Sequence, residues 1–301
     1  MALSDHAAAL EWIRQHVRPA APVETFREKP WATVLRVPLA DGTAWFKECA
    51  PVQAFEPVLT SRLSDRWPGR VAEVLAHDAE RAWLLMADAG ELASSAADPV
   101  QVWTDALPQY AELQRGEAAH VTGHLLARVP DLRLETWTRR YEDLAARPLP
   151  LTETEADRVR RHLPRFADLC AQLAAAGIPD SIQHDDLHPG SLYARAGQLR
   201  ILDWGDASVS HPFASLVVTF RFLEEFSHVP PGDPAYNRLR DAYLEPWGRG
   251  WTDTFDVAVQ AGAFAHAMAK ARQRDTLPAR HRPGFDQDFA VVLRRALARA
   301  G

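Results

Sequence analysis

Residues 181–206 read SIQHDDLHPGSLYARAGQLRILDWGD, and the folding of this stretch decides the class of the whole chain. An extended apolar-polar run opens it. His184, Asp185 and Asp186 then gather at a loop containing Pro189-Gly190. Ser191 to Arg195 and Gln198 to Leu202 read as two β-strands joined by a small turn at Ala196-Gly197. The second strand delivers Asp203 to the loop Trp204-Gly205-Asp206. Asp186 and Asp203 lie 17 positions apart, one at each end of the hairpin's two strands. Antiparallel pairing predicts that they face a shared space. Two carboxylates so placed bind a cation or divide acid-base work between them.

A chain of 301 residues has room for one large domain or two lobes with a sizeable core. Its 47% hydrophobic and 25% charged residues are those of an ordinary globular protein. A net charge of −6 argues against a general nucleic-acid binder, which carries a basic excess. Cys49 and Cys170 stand far apart in no metal-ligand spacing, so a reducing, cytoplasmic setting is expected. The N-terminal residues show no apolar h-region of signal type, and no run of eighteen apolar residues predicts a membrane span.

Before the decisive stretch, the first 88 residues are mostly β. Ser4 can cap a first helix with Leu10, Ile13 and Val17 on one face, which Pro19 ends. Val23 to Arg27 and Thr33 to Pro38 read as strands, and Ala40-Asp41-Gly42 as a hairpin turn. Thr43 to Cys49 is the return strand, with Trp45 and Lys47 on one face and Phe46 on the other. A helix from Pro57 to Arg66 precedes two further strands, Ala72 to His77 and Ala82 to Ala87. Asp88-Ala89-Gly90 breaks this pattern. From there helices dominate: Pro99 to Arg115, Leu132 to Ala146 and Thr154 to Ala175 before the hairpin. Phe213 to Ser227, Pro234 to Leu244, Thr252 to Arg274 and Phe285 to Arg299 follow it. The expected division is a β-rich lobe over residues 1–88 and a helical lobe over 89–301 that carries the hairpin.

A small β-lobe, a short hinge and a helical lobe with an Asp-bearing hairpin is the layout of the protein-kinase-like fold, an α+β class. His184-Asp185-Asp186-Leu187-His188-Pro189-Gly190-Ser191 resembles the HGDLHPGN signature of the aminoglycoside phosphotransferase family. Ile201-Leu202-Asp203-Trp204-Gly205-Asp206 resembles that family's counterpart of the kinase DFG segment, and Trp83 to Asp88 its strand and hinge. The resemblance implies transfer of the γ-phosphoryl group of ATP, with Mg2+, to a hydroxyl of a small molecule. It makes Asp186 the catalytic carboxylate, Asp203 the main magnesium ligand with Ser191 beside it, and Lys47 the contact to the α- and β-phosphates. Glu56 is the implied partner of Lys47, although Pro57 disfavours helical geometry at the residue before it. Met86, Ala87 and Asp88 would form the hinge against the adenine, and Leu192 and Leu202 the apolar floor. His184 and His188 are expected to support the loop.

The sequence departs from that signature at four places. Ser191 stands for the family's magnesium-ligating asparagine, though a hydroxyl also ligates magnesium. Asp185 stands for a glycine and adds a carboxylate beside Asp186, which raises a neighbour's pKa unless a cation compensates. Ser215 stands for an aspartate that braces the catalytic loop. No GxGxxG precedes the Lys47 strand, where residues 28–33 read EKPWAT. Trp45 occupies the place of a small alanine, either to stack on the base or to fill a differently shaped lobe. Glu224, Glu225, Asp233, Asp241, Asp253 and Asp256 suit either a cationic acceptor or a solvated helix face. The competing readings are a pseudokinase that binds nucleotide or a partner without efficient catalysis, and a metal-dependent phosphohydrolase built on His77-Asp78.

Overall fold

Side chains that alternate between the two faces of the third strand organise the N-terminal part of the molecule. In the computed structural model, which describes residues 6–95 and 98–300, the chain begins with α1 (His6–His16). There follow β1 (Glu24–Lys29), β2 (Ala32–Leu39), β3 (Gly42–Cys49), α2 (Glu56–Arg66), β4 (Val74–Asp78), β5 (Trp83–Ala87) and β6 (Glu91–Leu92). Next come α3 (Pro99–Glu117), α4 (Val121–Leu126), β7 (Asp131–Leu132), α5 (Leu134–Ala146), α6 (Glu153–Ala176) and β8 (Ser181–Gln183). The hairpin is β9 (Leu192–Arg195) and β10 (Gln198–Ile201). After it stand β11 (Ser208–Ser210), α7 (Leu216–Phe226), α8 (Pro234–Leu244), α9 (Thr252–Thr276) and α10 (Arg282–Arg299). Ser4, expected to cap α1, lies outside the described residues.

These elements group into two compact units that are discontinuous in sequence. The first comprises Met1–Ala96, Ala127–Val129 and Pro189–Asp206, and the second Ala97–Leu126, Pro130–His188 and Ala207–Gly301. The hairpin therefore groups with the N-terminal β-rich unit, whereas a single cut after residue 88 assigned it to the helical part.

In the first unit, five antiparallel strands run in the order β1-β2-β3-β5-β4. The period-2 pattern turns Ala44 and Phe46 of β3 to one side, where they join Leu35, Val37 and Leu85 beneath Trp12 and Ile13 of α1. Trp12, Phe46 and Trp83 meet edge to face, with ring centroids 5.6–5.9 Å apart. Each fully buried ring of this kind contributes about 1.5–3 kcal/mol. The other side of β3 presents Trp45 and Lys47. A second small sheet, β10-β9-β6, is antiparallel, and its turn takes φ +51° at Ala196 and +76° at Gly197, the left-handed pair that two-residue hairpins favour.

The second unit is helical around one short sheet. A Thr152–Glu155 capping box starts α6, and Gly177 ends it in the left-handed conformation. Trp137 and Tyr141 of α5, Phe166 of α6 and Phe264 of α9 stack into its core. The sheet order is β7-β11-β8, with β7 parallel and β8 antiparallel to β11. The expected helix from Leu132 therefore begins as strand β7 and turns helical at Leu134. Strands of two or three residues carry no readable period, and their pairing is set by tertiary contacts. No helix among the described residues is long and apolar enough to cross a membrane.

Candidate functional site

Lys47 sits on β3 between Val34 of β2 and Leu84 of β5, so three paired strands fix its position. Its ammonium donates to Glu56 Oε1 at 2.8 Å and lies 2.6 Å from Asp203 Oδ1. Lys47 and Glu56 side chains are only 7% and 2% exposed, while that of Asp203 is 59% exposed. Burial works against the ammonium of Lys47, but Asp203 and then Glu56 outweigh it and hold its pKa well above the ordinary lysine value. Burial raises the carboxyl of Glu56, and Lys47 opposes that rise. Glu56 is the first residue of α2 with Pro57 behind it, a position where proline suits the helix start. The geometry that Pro57 was expected to disfavour is thus accommodated. Cys49 donates its thiol to Glu56 Oε2 at 3.3 Å and is itself buried and free, as is Cys170.

The Lys47 face of the sheet lines a cavity of about 280 Å³. Lys47, Glu56 and Asp203 form its polar end, and Phe26, Trp31, Trp45, Tyr193 and Leu202 give it aromatic and apolar walls. Met86, Asp88 and Gly90 line its hinge side. Of the expected nucleotide-contact residues, Ala87 and Leu192 are not among its lining: Ala87 donates its amide to the Glu73 carbonyl, and Leu192 is buried. The indole of Trp45 is held by a 3.0 Å bond from Nε1 to Asp88 Oδ1 and by an edge-to-face contact with Phe26. Gly90 must be glycine, since at φ +99° a Cβ would stand 2.1 Å from the Ala194 carbonyl oxygen. Phe26, Trp31 and Tyr193 were missed in the sequence. Each is a surface aromatic near a turn or on a short strand, with no spacing that marks it.

The hairpin delivers Asp203 two residues beyond β10. Its backbone takes φ +66°, and the next three residues form a 3-10 turn packed near α2. Gly205 in that turn lies so close to the start of α2 that a Cβ would come within 2.7 Å of Glu56 Oε2. Position 191 stands beside it, because the Ser191 carbonyl accepts the Leu202 amide at 2.9 Å. Asp203 and Ser191 are hard oxygen donors of the kind magnesium takes, usually as one or two protein ligands completed by phosphate oxygens and water. Among the described residues, no group of three or more His, Cys, Asp or Glu side chains is placed to hold a metal alone.

In the second unit the loop after β8 carries His184, Asp185 and Asp186. Asp185 takes φ +61°, the left-handed region that explains a glycine there and that aspartate tolerates better than most residues. Its carboxylate is turned away to accept a 2.5 Å bond from Ser208 of β11. Asp186 donates its amide to His184 Nδ1, and its Oδ2 lies 3.6 Å from His188 Nε2. His188 stacks on Phe222 of α7, and Thr219 of the same helix donates to the Leu187 carbonyl at 2.7 Å. Both histidines thus support the loop.

Ser215 braces the loop through a relay. The hydroxyl of Tyr110 accepts the His184 amide at 2.9 Å and Gln114 Nε2 at 3.2 Å, which leaves its own proton for Ser215 Oγ at 2.5 Å. Gln114 also donates to the carbonyls of Ile182 and Pro212 and accepts from Tyr243. Tyr110 and Gln114 face the core one turn apart on α3, and in the sequence they look like any buried helix pair. The late carboxylates are largely engaged. Glu224 and Glu225 pair with Arg299 and Arg295, Asp233 caps α8, and Asp241 pairs with Arg240. Asp78 caps its own turn through the amides of Glu80 and Arg81, which removes it from the phosphohydrolase reading.

Solved structures share the fold over nearly the whole chain at low identity. The GDP complex of aminoglycoside 2'-phosphotransferase-IIIa is 14% identical, covering 99% of each chain with a TM-score of 0.70. Macrolide 2'-phosphotransferase type I is 13% identical over 96% of this chain and 99% of that one, TM-score 0.65. The choline kinase LicA of Streptococcus pneumoniae is 12% identical over 97% and 100%, TM-score 0.64. The fold is the protein-kinase-like one. No curated protein matches the chain. A family model does, over residues 25–255, a span that holds Lys47, Asp186 and Asp203 alike, and by it the chain belongs to the phosphotransferase enzyme family.

Proposed function

We propose that this protein is an ATP- and magnesium-dependent small-molecule kinase of the cytoplasm that phosphorylates a hydroxyl group. The observation that carries the reading is Lys47, bonded to Glu56 and Asp203 at the polar end of an aromatic-walled cavity. A buried, permanently charged lysine is suited to nucleotide phosphates, and the aromatic walls to a purine. Phosphoryl transfer asks the protein chiefly to position reactants and to neutralise charge. In this reading Asp186 accepts the proton of the acceptor hydroxyl as its oxygen bonds to the γ-phosphorus. The bond from that phosphorus to the bridging oxygen breaks, and the nucleoside diphosphate leaves. Asp203 and Ser191 would hold magnesium, which neutralises phosphate charge when bound. Met86 and Asp88 flank the base.

The test is calorimetric titration with Mg·ATP and Mg·GTP, followed by diphosphate release across hydroxyl acceptors. GTP is included because two similar structures are GDP complexes. The expected result is turnover with ATP preferred, and a loss of at least about a thousandfold in Asp186→Asn with nucleotide binding retained. Turnover insensitive to Asp186→Asn would refute the assigned role. Tight nucleotide binding without turnover on any acceptor would make the protein a binding module instead.

A further inference from the structure

A second cavity, of about 360 Å³, lies wholly in the helical unit between α7, α9 and α10. Its polar lining is Arg221, Glu224, Glu225, His266, Arg295 and Arg299. Two of the three guanidinium groups are matched: Arg295 to Glu225 at 2.6 Å and Arg299 to Glu224 at 3.1 Å. Arg221 is the cation left over. Its Nε is buried without a hydrogen-bond partner, and its guanidinium rests over the Phe222 ring at 5.0 Å. Burial, followed by Arg295, works against its charge, which Glu225 and Asp186 favour. Beside it His266 is 7% exposed, with Nδ1 also unpartnered. Burial, with Lys270 and Arg221, holds its pKa well below the ordinary value, so it presents a neutral ring.

An unpaired buried donor costs about 1–3 kcal/mol, and more when charged. Arg221 Nε asks for an acceptor, as does His266 Nδ1 in the tautomer that carries its proton there, and the excess cation asks for a negative one. Arg221 shares α7 with Thr219 and Phe222, which hold the loop of Asp186, and the Asp186 carboxylate favours its charge. We propose that this cavity binds an anionic group, carboxylate or phosphate, on the hydroxyl compound that the protein phosphorylates, with Arg221 as its main contact and His266 beside it. The proposal rests on the kinase reading above. It opposes a cationic acceptor, because Glu224 and Glu225 are already matched by arginine.

The experiment measures diphosphate release with Mg·ATP on three sets of hydroxyl compounds. Gluconate, glycerate and glucose 6-phosphate are anionic, choline, ethanolamine and kanamycin cationic, and glucose and glycerol neutral. The anionic set should show the highest kcat/KM, with gluconate and glycerate against glucose 6-phosphate telling carboxylate from phosphate. Arg221→Met should raise KM for anionic acceptors about 10- to 100-fold, the usual weight of a charged hydrogen bond. Arg221→Lys should retain part of the affinity, and KM for ATP should stay unchanged in both. Preference for cationic or neutral acceptors, unaltered by Arg221→Met, would overturn the proposal and leave the kinase reading standing. Should no acceptor turn over, calorimetric titration of gluconate and glucose 6-phosphate decides separately. Binding lost in Arg221→Met supports the site, and no binding overturns it.

Discussion

Replacing Lys47 by methionine should destabilise the first unit in a pH-dependent way, and the size of the effect follows from burial. The substitution keeps most of the side-chain length and removes the cation. Asp203, 59% exposed, is then resolvated by water and loses little, about 0–1 kcal/mol. Glu56, 2% exposed, is left as a buried carboxylate without its cation, a loss of about 3–5 kcal/mol. Its carboxyl is already raised by burial, and Lys47 is the chief influence holding it down. Without Lys47 it rises further. A group with a raised folded pKa contributes stability below its unfolded value and loses it as pH climbs through the folded one. The deficit of Lys47→Met should therefore be small near pH 4.5, the ordinary glutamate value, and grow towards neutrality. Denaturant titrations of the wild type, Lys47→Met, Glu56→Met and the double variant, followed by tryptophan fluorescence from pH 4.5 to 8, measure it. The double variant should recover most of the loss, because an apolar pair of similar volume is close to neutral in stability. A deficit independent of pH, or a double variant as unstable as the two singles summed, would refute the argument.

Two further outcomes are expected. Tyr110→Phe removes the hydroxyl that joins Ser215, Gln114 and the His184 amide, a loss of about 1–3 kcal/mol. If the loop positions Asp186, kcat should fall about tenfold or more while the nucleotide Kd is unchanged, read by steady-state kinetics beside calorimetry. Burial pushes His211 down to about 4 from its ordinary 6.5, with neither ring nitrogen partnered. The unfolded chain therefore binds the extra proton first, and stability holds above pH 6.5 and falls by about 3 kcal/mol as pH drops to 4. His211→Leu should flatten that part of the denaturation midpoint against pH.

The β-rich half of the fold is legible because its strands alternate. Phe46 and Lys47 are adjacent yet face a hydrophobic core and the polar end of a cavity, and a period of two along the strand is enough to separate them. The hairpin is legible for a different reason: Ala196-Gly197 permits the left-handed turn that closes it. What sequence hides is pairing over distance. β7 and β11 are two and three residues long and exist because they pair with each other and with β8, the strand that carries the loop of Asp186. The Tyr110–Ser215 contact spans 105 positions and joins two ordinary polar residues, neither of which announces the other. The late carboxylates hide their partners in the same way: Glu224 and Glu225 pair with arginines some 70 residues later.

The departures from the family signature bear on whether the loop can serve catalysis. An unpaired Asp185 would repel Asp186, raise its pKa and spoil the difference between a sealed and an available carboxylate. The structure separates the two. Asp185 is buried at φ +61° with its oxygen on Ser208, which in turn accepts from Gln183. The left-handed backbone that makes glycine the simplest choice also aims the carboxylate inward, where β11 offers a hydroxyl. Asp186 keeps a side chain 36% exposed with His188 beside it. Ser215, too short to brace the loop alone, reaches it through the Tyr110 hydroxyl, whose proton the Gln114 and His184 donors direct towards Ser215. A half-satisfied polar network is worse than none in a protein interior. At these two positions the side chain has a polar partner: Ser208 for Asp185 and Tyr110 for Ser215. The carboxylate it leaves accessible is that of Asp186, the one to which base catalysis is assigned.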